Sequence, residues 1–126
     1  MREPIRDRSR LEHIQTAINY ILSFTKDKTL DELSSDKILF FAVVKNIEII
    51  GEAANMLSSA FKEAHQEVAW RDIAGMRNFL VHEYFRVDSD TVWAVIHSEI
   101  VELKEQVSRF LSDTDWEKWE QNNVEP

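Results

Sequence analysis

Residues 36–57 read DKILFFAVVKNIEIIGEAANML, and this stretch decides the fold. At about 100° per residue, four of its polar side chains fall within an arc of about 80° on a helical wheel. These side chains are Lys45, Glu48, Glu52 and Asn55. Because nearly everything else is apolar, we predict a helix that is the central and most buried element of the protein. Gly51 destabilises a helix by roughly 1 kcal/mol relative to alanine, so its presence predicts a close crossing with another helix.

The segments on either side of this helix are also predicted to be helical. The chain contains only two glycines and two prolines, so few residues interrupt helical structure. Residues 7–25 and 89–111 carry apolar side chains at three- and four-residue steps, which is typical of amphipathic helices. Thr29 and Glu32 have the spacing of a capping box. Residues 58–68 indicate a short helix and loop. Its inward-facing side chains are predicted to be Phe61, Ala64 and Val68.

Together these elements predict an all-α fold, a single-domain antiparallel helical bundle of four long helices plus a short one. The bundle is expected to occupy residues 1–112. Residues 113–126 form an acidic tail in which Trp116 and Trp119 stand among acidic residues without a continuing apolar stripe. We expect this tail either to fold back onto the bundle or to contact a partner.

The charge of the chain limits the classes of function. The net charge of the 126 residues is −8, which excludes a basic protein that coats nucleic acid over many phosphates. Residues 99–126 hold eight acidic and three basic residues, so much of the excess negative charge lies there. A small local phosphate site in the rest of the chain remains open.

The composition also bears on the compartment. No cysteine is present, so disulfides and thiolate metal sites are excluded. The longest apolar run, residues 38–44, is far shorter than the roughly 20 residues that span a bilayer. The N-terminal residues lack the apolar region of a signal peptide. We therefore predict a soluble, cytoplasmic protein that makes no membrane contacts.

Residues 70–84 read WRDIAGMRNFLVHEY and are predicted to form the helix that carries the function. On a helical wheel one side of this segment is apolar and faces the core. The core side holds Ile73, Met76, Phe79 and Leu80, and the opposite side holds Arg77, Asn78, His82 and Tyr84. Small residues lie between these polar side chains. The alternation favours a surface that another molecule approaches closely over a merely solvated face.

The residue types on this polar side suit cleavage of RNA. Attack by the 2′-hydroxyl needs a proton acceptor, a proton donor and a cation beside the crowded phosphate. His82 can take either proton role near neutral pH, and Arg77 can stabilise the developing charge. Asn78 lies four residues before His82 and can orient its ring. The four histidines are scattered and no carboxylate cluster has ligand spacing, so we predict neither a metal nor a cofactor.

The two main candidates diverge on a regular helix. Arg77 and His82 are about 140° apart on the wheel. They can converge if the helix loosens near His82, if a cleft wraps around the helix, or if a two-fold axis brings both residues from two chains into one groove. We favour the two-fold axis, which makes the segment half of a site.

The spacing Arg77-x4-His82, together with Asn78 and Tyr84, resembles the signature of the HEPN superfamily (higher eukaryotes and prokaryotes nucleotide-binding domains). It is most similar to the HepT-type toxins of prokaryotic HepT–MntA toxin–antitoxin pairs. Residues 50–54, IGEAA, and residues 70–76, WRDIAGM, also resemble that family. The similarity extends over roughly residues 10–111.

This resemblance implies a dimeric helical bundle with the motif at the dimer groove. It implies a toxin that is a metal-independent endoribonuclease, with Arg77 and His82 as the catalytic pair and Asn78 in support. It also implies that an MntA-type nucleotidyltransferase antitoxin silences the toxin by transferring AMP to the motif tyrosine, Tyr84. We include Glu52 as a supporting residue. It either holds an arginine at the groove or is a peripheral charge.

Less specific interpretations stay open for the same residues. The polar side of the motif can be a solvated face that pairs with Glu48 or Glu52. Tyr84 can be an amphipathic tyrosine at the edge of the core. The alternative function is a non-catalytic HEPN subunit that binds a nucleotide or a partner within a minimal nucleotidyltransferase.

Overall fold

The computed structural model describes residues 6–78 and 88–122. Every regular element within these ranges is helical, which confirms the prediction of an all-α fold. In chain order the elements are α1 (Asp7–Thr25), α2 (Leu30–Ser35), α3 (Lys37–Asn55), α4 (Ser59–Ala64), α5 (Trp70–Gly75), a 3-10 turn (Met76–Asn78), α6 (Ser89–Val95), a π-helical turn (Ile96–Ile100), α7 (Val101–Asp113) and α8 (Trp116–Asn122).

The described helices differ in length from those expected for the bundle. α1 and α3 are long, with 19 residues each. α6 and α7 are joined through the π-helical turn into a third long stretch, since the residues at the junctions keep right-handed helical dihedral angles. A single long helix was predicted over residues 70–84, but the described part, residues 70–78, is not one continuous α-helix. There the α-helix ends at Gly75 and the chain tightens into the 3-10 turn.

The core lies between α1, α3 and the third long stretch. α1 packs along α3, and α7 packs against α1. Most of the apolar stripe predicted for α1 is buried, and each fully buried aliphatic side chain contributes about 1.5–3 kcal/mol relative to exposure. Of the six predicted residues, Leu22 is half-buried, and the buried ones are Leu11, Ile14, Ile18, Ile21 and Thr25. The face of α3 that meets it consists of Val43, Val44, Ile47, Ile50, Ala53 and Ala54.

The opposite face of α3 is exposed, so the prediction that this helix is buried nearly all round is wrong. Ile38, Phe41, Ile49 and Met56 are 85%, 51%, 38% and 48% exposed, and we refer to these four residues as the outer α3 face. On a helical wheel they share an arc of about 80°. The other described helices cover α3 from one side only, so apolar character alone did not distinguish a buried face from an open one.

Side-chain caps fix the starts of several helices, as the sequence predicted for the capping box. The Glu32 N–H donates to the Thr29 hydroxyl, and the Thr29 N–H donates to the Glu32 carboxylate, both at 3.1 Å. Asp88 caps α6 by accepting from the Thr91 N–H at 2.7 Å. This backbone hydrogen bond, and one from the Thr91 side chain, lower the pKa of Asp88 below its ordinary value.

In α4, Phe61 is buried as predicted, but Ala64 is exposed.

The described part of the tail folds back onto the helices. The Trp116 ring stacks against Phe61 with ring centroids 6.1 Å apart, and Trp116 is only 8% exposed. The Trp119 indole N–H donates to the Asp7 carboxylate at 3.1 Å, and that carboxylate also accepts from the Ser58 N–H at 2.8 Å. Asp7 therefore links the start of α1 to α4 and α8.

None of the described helices combines the length and apolar character that crossing a membrane requires.

Candidate functional site

Arg77 lies in the middle of the 3-10 turn, which is held by the buried residues before it. Trp70 begins α5, is 7% exposed, and donates its indole N–H to the His65 carbonyl at 2.9 Å. Ile73 and Met76, both predicted for the core side, are 6% and 9% exposed. The backbone that carries Arg77 is thus anchored to the core, while the guanidinium side chain is 40% exposed.

Gly51 determines how closely this turn approaches α3. A Cβ atom built on Gly51 would overlap the backbone nitrogen of Arg77 and stand 2.9 Å from the carbonyl carbon of Met76. Real Cβ atoms essentially never come within 3.0 Å of another heavy atom, and here the obstacle is backbone that cannot rotate away. The close crossing predicted from Gly51 is therefore confirmed. The segment that crosses α3 at this point is the turn carrying Arg77.

Glu52, the next residue, forms the described ionic contact of Arg77. The two side chains approach to 3.9 Å, between a guanidinium nitrogen of Arg77 and a carboxylate oxygen of Glu52. The glutamate side chain is 59% exposed. An exposed ion pair at this distance contributes at most about 1 kcal/mol to stability. The contact therefore orients the guanidinium only weakly and leaves most of its five N–H donors available. An approaching phosphate can replace the carboxylate.

The remaining predicted site residues are placed only in part. Asn78 ends the 3-10 turn and is partly buried. His82 and Tyr84 lie outside the described residues. The 3-10 turn has about 120° per residue rather than about 100°, so the regular wheel used for Arg77 and His82 does not hold through Met76–Asn78.

The outer α3 face lies on the same side of α3 as Glu52. At about 100° per residue, Glu52 and Lys45 fall inside the arc of this face, and both are exposed. Arg77 therefore stands beside an open apolar surface with a few charges. Sequence reasoning placed the polar residues of α3 correctly but missed that their apolar neighbours are exposed with them. The missed signal is the apolar spacing at Ile38, Phe41, Ile49 and Met56, which fall within or directly beside the polar arc on the helical wheel.

Metal ligands do not gather in the described chain. Across residues 6–78 and 88–122, no group of three or more histidine, cysteine, aspartate or glutamate side chains is placed to hold a metal ion.

The chain is similar to known proteins over most of its length. A family model described as ribonuclease HepT-like matches residues 14–110. A protein of Methanocaldococcus jannaschii, whose name joins a gamma-glutamylcyclotransferase to a candidate RNase, is 39% identical over 114 residues, which are 90% of this chain and 51% of that protein. A candidate RNase of Caldanaerobacter subterraneus is 41% identical over 101 residues, 80% of this chain and 90% of that protein.

A third relative carries the family name itself. The protein named "Probable ribonuclease HepT" of Thermococcus cleftensis is 40% identical over 94 residues, which are 75% of this chain and 86% of that protein. The chain thus spans about half of the first relative and most of the other two. No solved structure gives a significant match.

The matches extend over most of the chain, and the matched proteins are named as ribonucleases. The chain belongs to the ribonuclease HepT-like family. The predicted resemblance to the HepT-type HEPN proteins is thereby confirmed, and as a member of this family the protein is a ribonuclease.

Gly51→Ala is expected to destabilise the fold by about 1–3 kcal/mol, because the added methyl group forces the Arg77 turn away from α3. The matched control is Gly75→Ala, where a Cβ would meet nothing within 4 Å. Its stability should stay unchanged or rise by up to about 1 kcal/mol. Urea unfolding of both variants measures the difference. Equal stabilities of the two variants would contradict the close crossing.

Proposed function

We propose that this chain is the toxin of a toxin–antitoxin pair and that it cuts RNA in the cytoplasm without a metal ion. The observation that carries the proposal is the position of Arg77. The guanidinium is accessible, it is loosely paired with Glu52, and its backbone is fixed by the crossing at Gly51. A fixed backbone with an exchangeable anionic partner suits a side chain that receives a phosphate.

The reaction follows from the groups in the motif. The 2′-hydroxyl oxygen attacks phosphorus and loses its proton to a base, the bond from phosphorus to the 5′-oxygen breaks, and that oxygen takes a proton from an acid. The products carry a 2′,3′-cyclic phosphate and a 5′-hydroxyl. His82 supplies a proton role and Arg77 stabilises the charge on the pentacovalent phosphate. Asn78 supports His82, and Glu52 holds Arg77 in place before RNA binds.

We further propose that the site is completed by a second copy of the chain. The outer α3 face offers four large apolar side chains beside Glu52 and Arg77. Such a contiguous apolar surface is typical of a protein interface. A two-fold axis through this face brings both copies of the motif into one groove, where Arg77 of one chain can act together with His82 of the other.

Regulation would act on the same groove. We propose that Tyr84 accepts AMP from an MntA-type nucleotidyltransferase antitoxin. An added phosphate near the motif would compete with RNA for the guanidinium of Arg77 and obstruct the groove. Support for this step comes from the motif spacing and from the family to which the chain belongs.

Arg77→Ala and His82→Ala are expected to lower RNA cleavage at least about 100-fold in excess chelator, because each removes a group that acts in the transition state. Arg71→Ala and His13→Ala, which alter exposed residues on α5 and α1, should cleave like the unmodified chain. Labelled RNA is followed by gel, and the new ends are tested for 2′,3′-cyclic phosphate. Cleavage by His82→Ala at the unmodified rate would remove His82 from the mechanism, whereas absence of cleavage by the unmodified chain would favour a binding subunit instead.

Phe41→Lys is expected to weaken dimerisation at least about tenfold, since it puts a charge into the outer α3 face. Val101→Lys is the matched control, because Val101 is also about half exposed but lies on α7. Sedimentation velocity at several concentrations gives the dimer fraction. A dimer that tolerates Phe41→Lys as well as Val101→Lys would show that this face is not the interface.

Co-expression with the cognate nucleotidyltransferase should raise the intact mass of the chain by whole AMP units. The chain has two tyrosines, which allows a clean comparison. Tyr84→Phe should abolish the mass increase and Tyr20→Phe, at an exposed position of α1, should leave it unchanged. A persistent increase in Tyr84→Phe would assign the modification to another residue.

A further inference from the structure

A cleft separate from the guanidinium of Arg77 opens between α5 and the third long helical stretch. Its volume is about 590 Å³, which is in the range of small-molecule sites. Its inner surface is apolar and includes Ile73, Met76 and Leu103, which are 6%, 9% and 1% exposed. Apolar walls of this kind suit a hydrocarbon segment of a ligand.

One polar side chain interrupts the apolar lining. Gln106 lines the cleft and is only 9% exposed. Its amide forms no hydrogen bond with any residue in the described part of the chain. The amide nitrogen and oxygen reach the surface of the cleft, so a ligand that supplies a hydrogen-bond donor or acceptor there can bond to the amide directly.

The rim of the cleft is acidic on both sides. Glu67 and Asp72 lie on the α5 side, and Glu99 and Glu102 lie on the opposite side. All four are exposed, and the part of the lining that the structure describes contains no lysine or arginine. The His65 ring lies 3.9 Å from the carboxylate of Glu67. Four facing carboxylates attract an organic cation and repel an anion such as RNA.

The π-helical turn forms part of the same wall. Ile96–Ile100 interrupts the helix just where Val95 and Glu99 line the cleft. Such turns are rare and are frequently found at functional sites. The irregular backbone is therefore a second observation, independent of the charges, that marks this wall.

We propose that the cleft binds an alkylammonium group. The hydrocarbon stem lies on Ile73, Met76 and Leu103, the ammonium is held by the rim carboxylates, and the Gln106 carbonyl accepts a hydrogen bond from a second amine. The ligand is either a free aliphatic diamine or polyamine, or the lysine side chain of a protein. Met76 also begins the turn that carries Arg77, so a ligand in the cleft contacts the first residue of that turn.

Calorimetric titration of the full chain with 1,5-diaminopentane and with spermidine tests the proposal independently of ribonuclease activity. The neutral analogue 1,5-pentanediol is the control ligand. Glu99→Gln combined with Glu102→Gln should weaken diamine binding at least about tenfold, because the ammonium loses its charged partners. Glu105→Gln combined with Glu117→Gln removes the same charge from exposed positions outside the cleft and should leave the affinity unchanged.

Gln106→Leu keeps the burial but removes the amide. It should weaken diamine binding about tenfold, because the ligand loses its hydrogen bond to the amide. An octapeptide of lysine distinguishes the sources. Binding of the peptide alone assigns the cleft to a protein lysine, and binding of the diamine assigns it to a free amine. Equal binding of diamine and diol, affinity unaffected by the Glu99 and Glu102 changes, or no binding by any amine would overturn the proposal.

Discussion

The structure depends on the contact between Gly51 and the backbone of the Arg77 turn. α3 supplies the buried face of the core, and Gly51 is the point at which another segment comes too close for a side chain. This contact has two consequences. It fixes the distance between the turn and α3. It also brings a carboxylate oxygen of Glu52 to 3.9 Å from a guanidinium nitrogen of Arg77. A glycine that destabilises a helix by roughly 1 kcal/mol is thus retained where packing requires it.

Much of the fold was predictable from sequence patterns that are each compatible with only one local structure. The α1 stripe, the capping box at Thr29 and the crossing at Gly51 each follow from local geometry, and the structure agrees with them. The outer α3 face was not predictable in the same way. An apolar side chain is compatible with burial in its own bundle or against another chain, and only the arrangement of the other helices separates the two.

The site was predictable in its chemistry more than in its geometry. Residue types and spacing around Arg77 led to the HepT-like family, which the comparisons bear out. The 3-10 turn had no signal in the helical wheel, because it arises from packing against α3. The acidic cleft was also missed. Asp72 and Glu99 are distant in sequence and meet only when α5 packs beside the π-helical turn.

The central claim is that one chain carries half of a ribonuclease site and that a second copy supplies the rest. Mixing Arg77→Ala chains with His82→Ala chains tests it most directly, after exchange of subunits has been verified by mass. A shared site predicts that the mixture recovers about a quarter of the unmodified activity, because half of the dimers are mixed and each has one complete site. A mixture as inactive as the two separate variants would contradict the shared site.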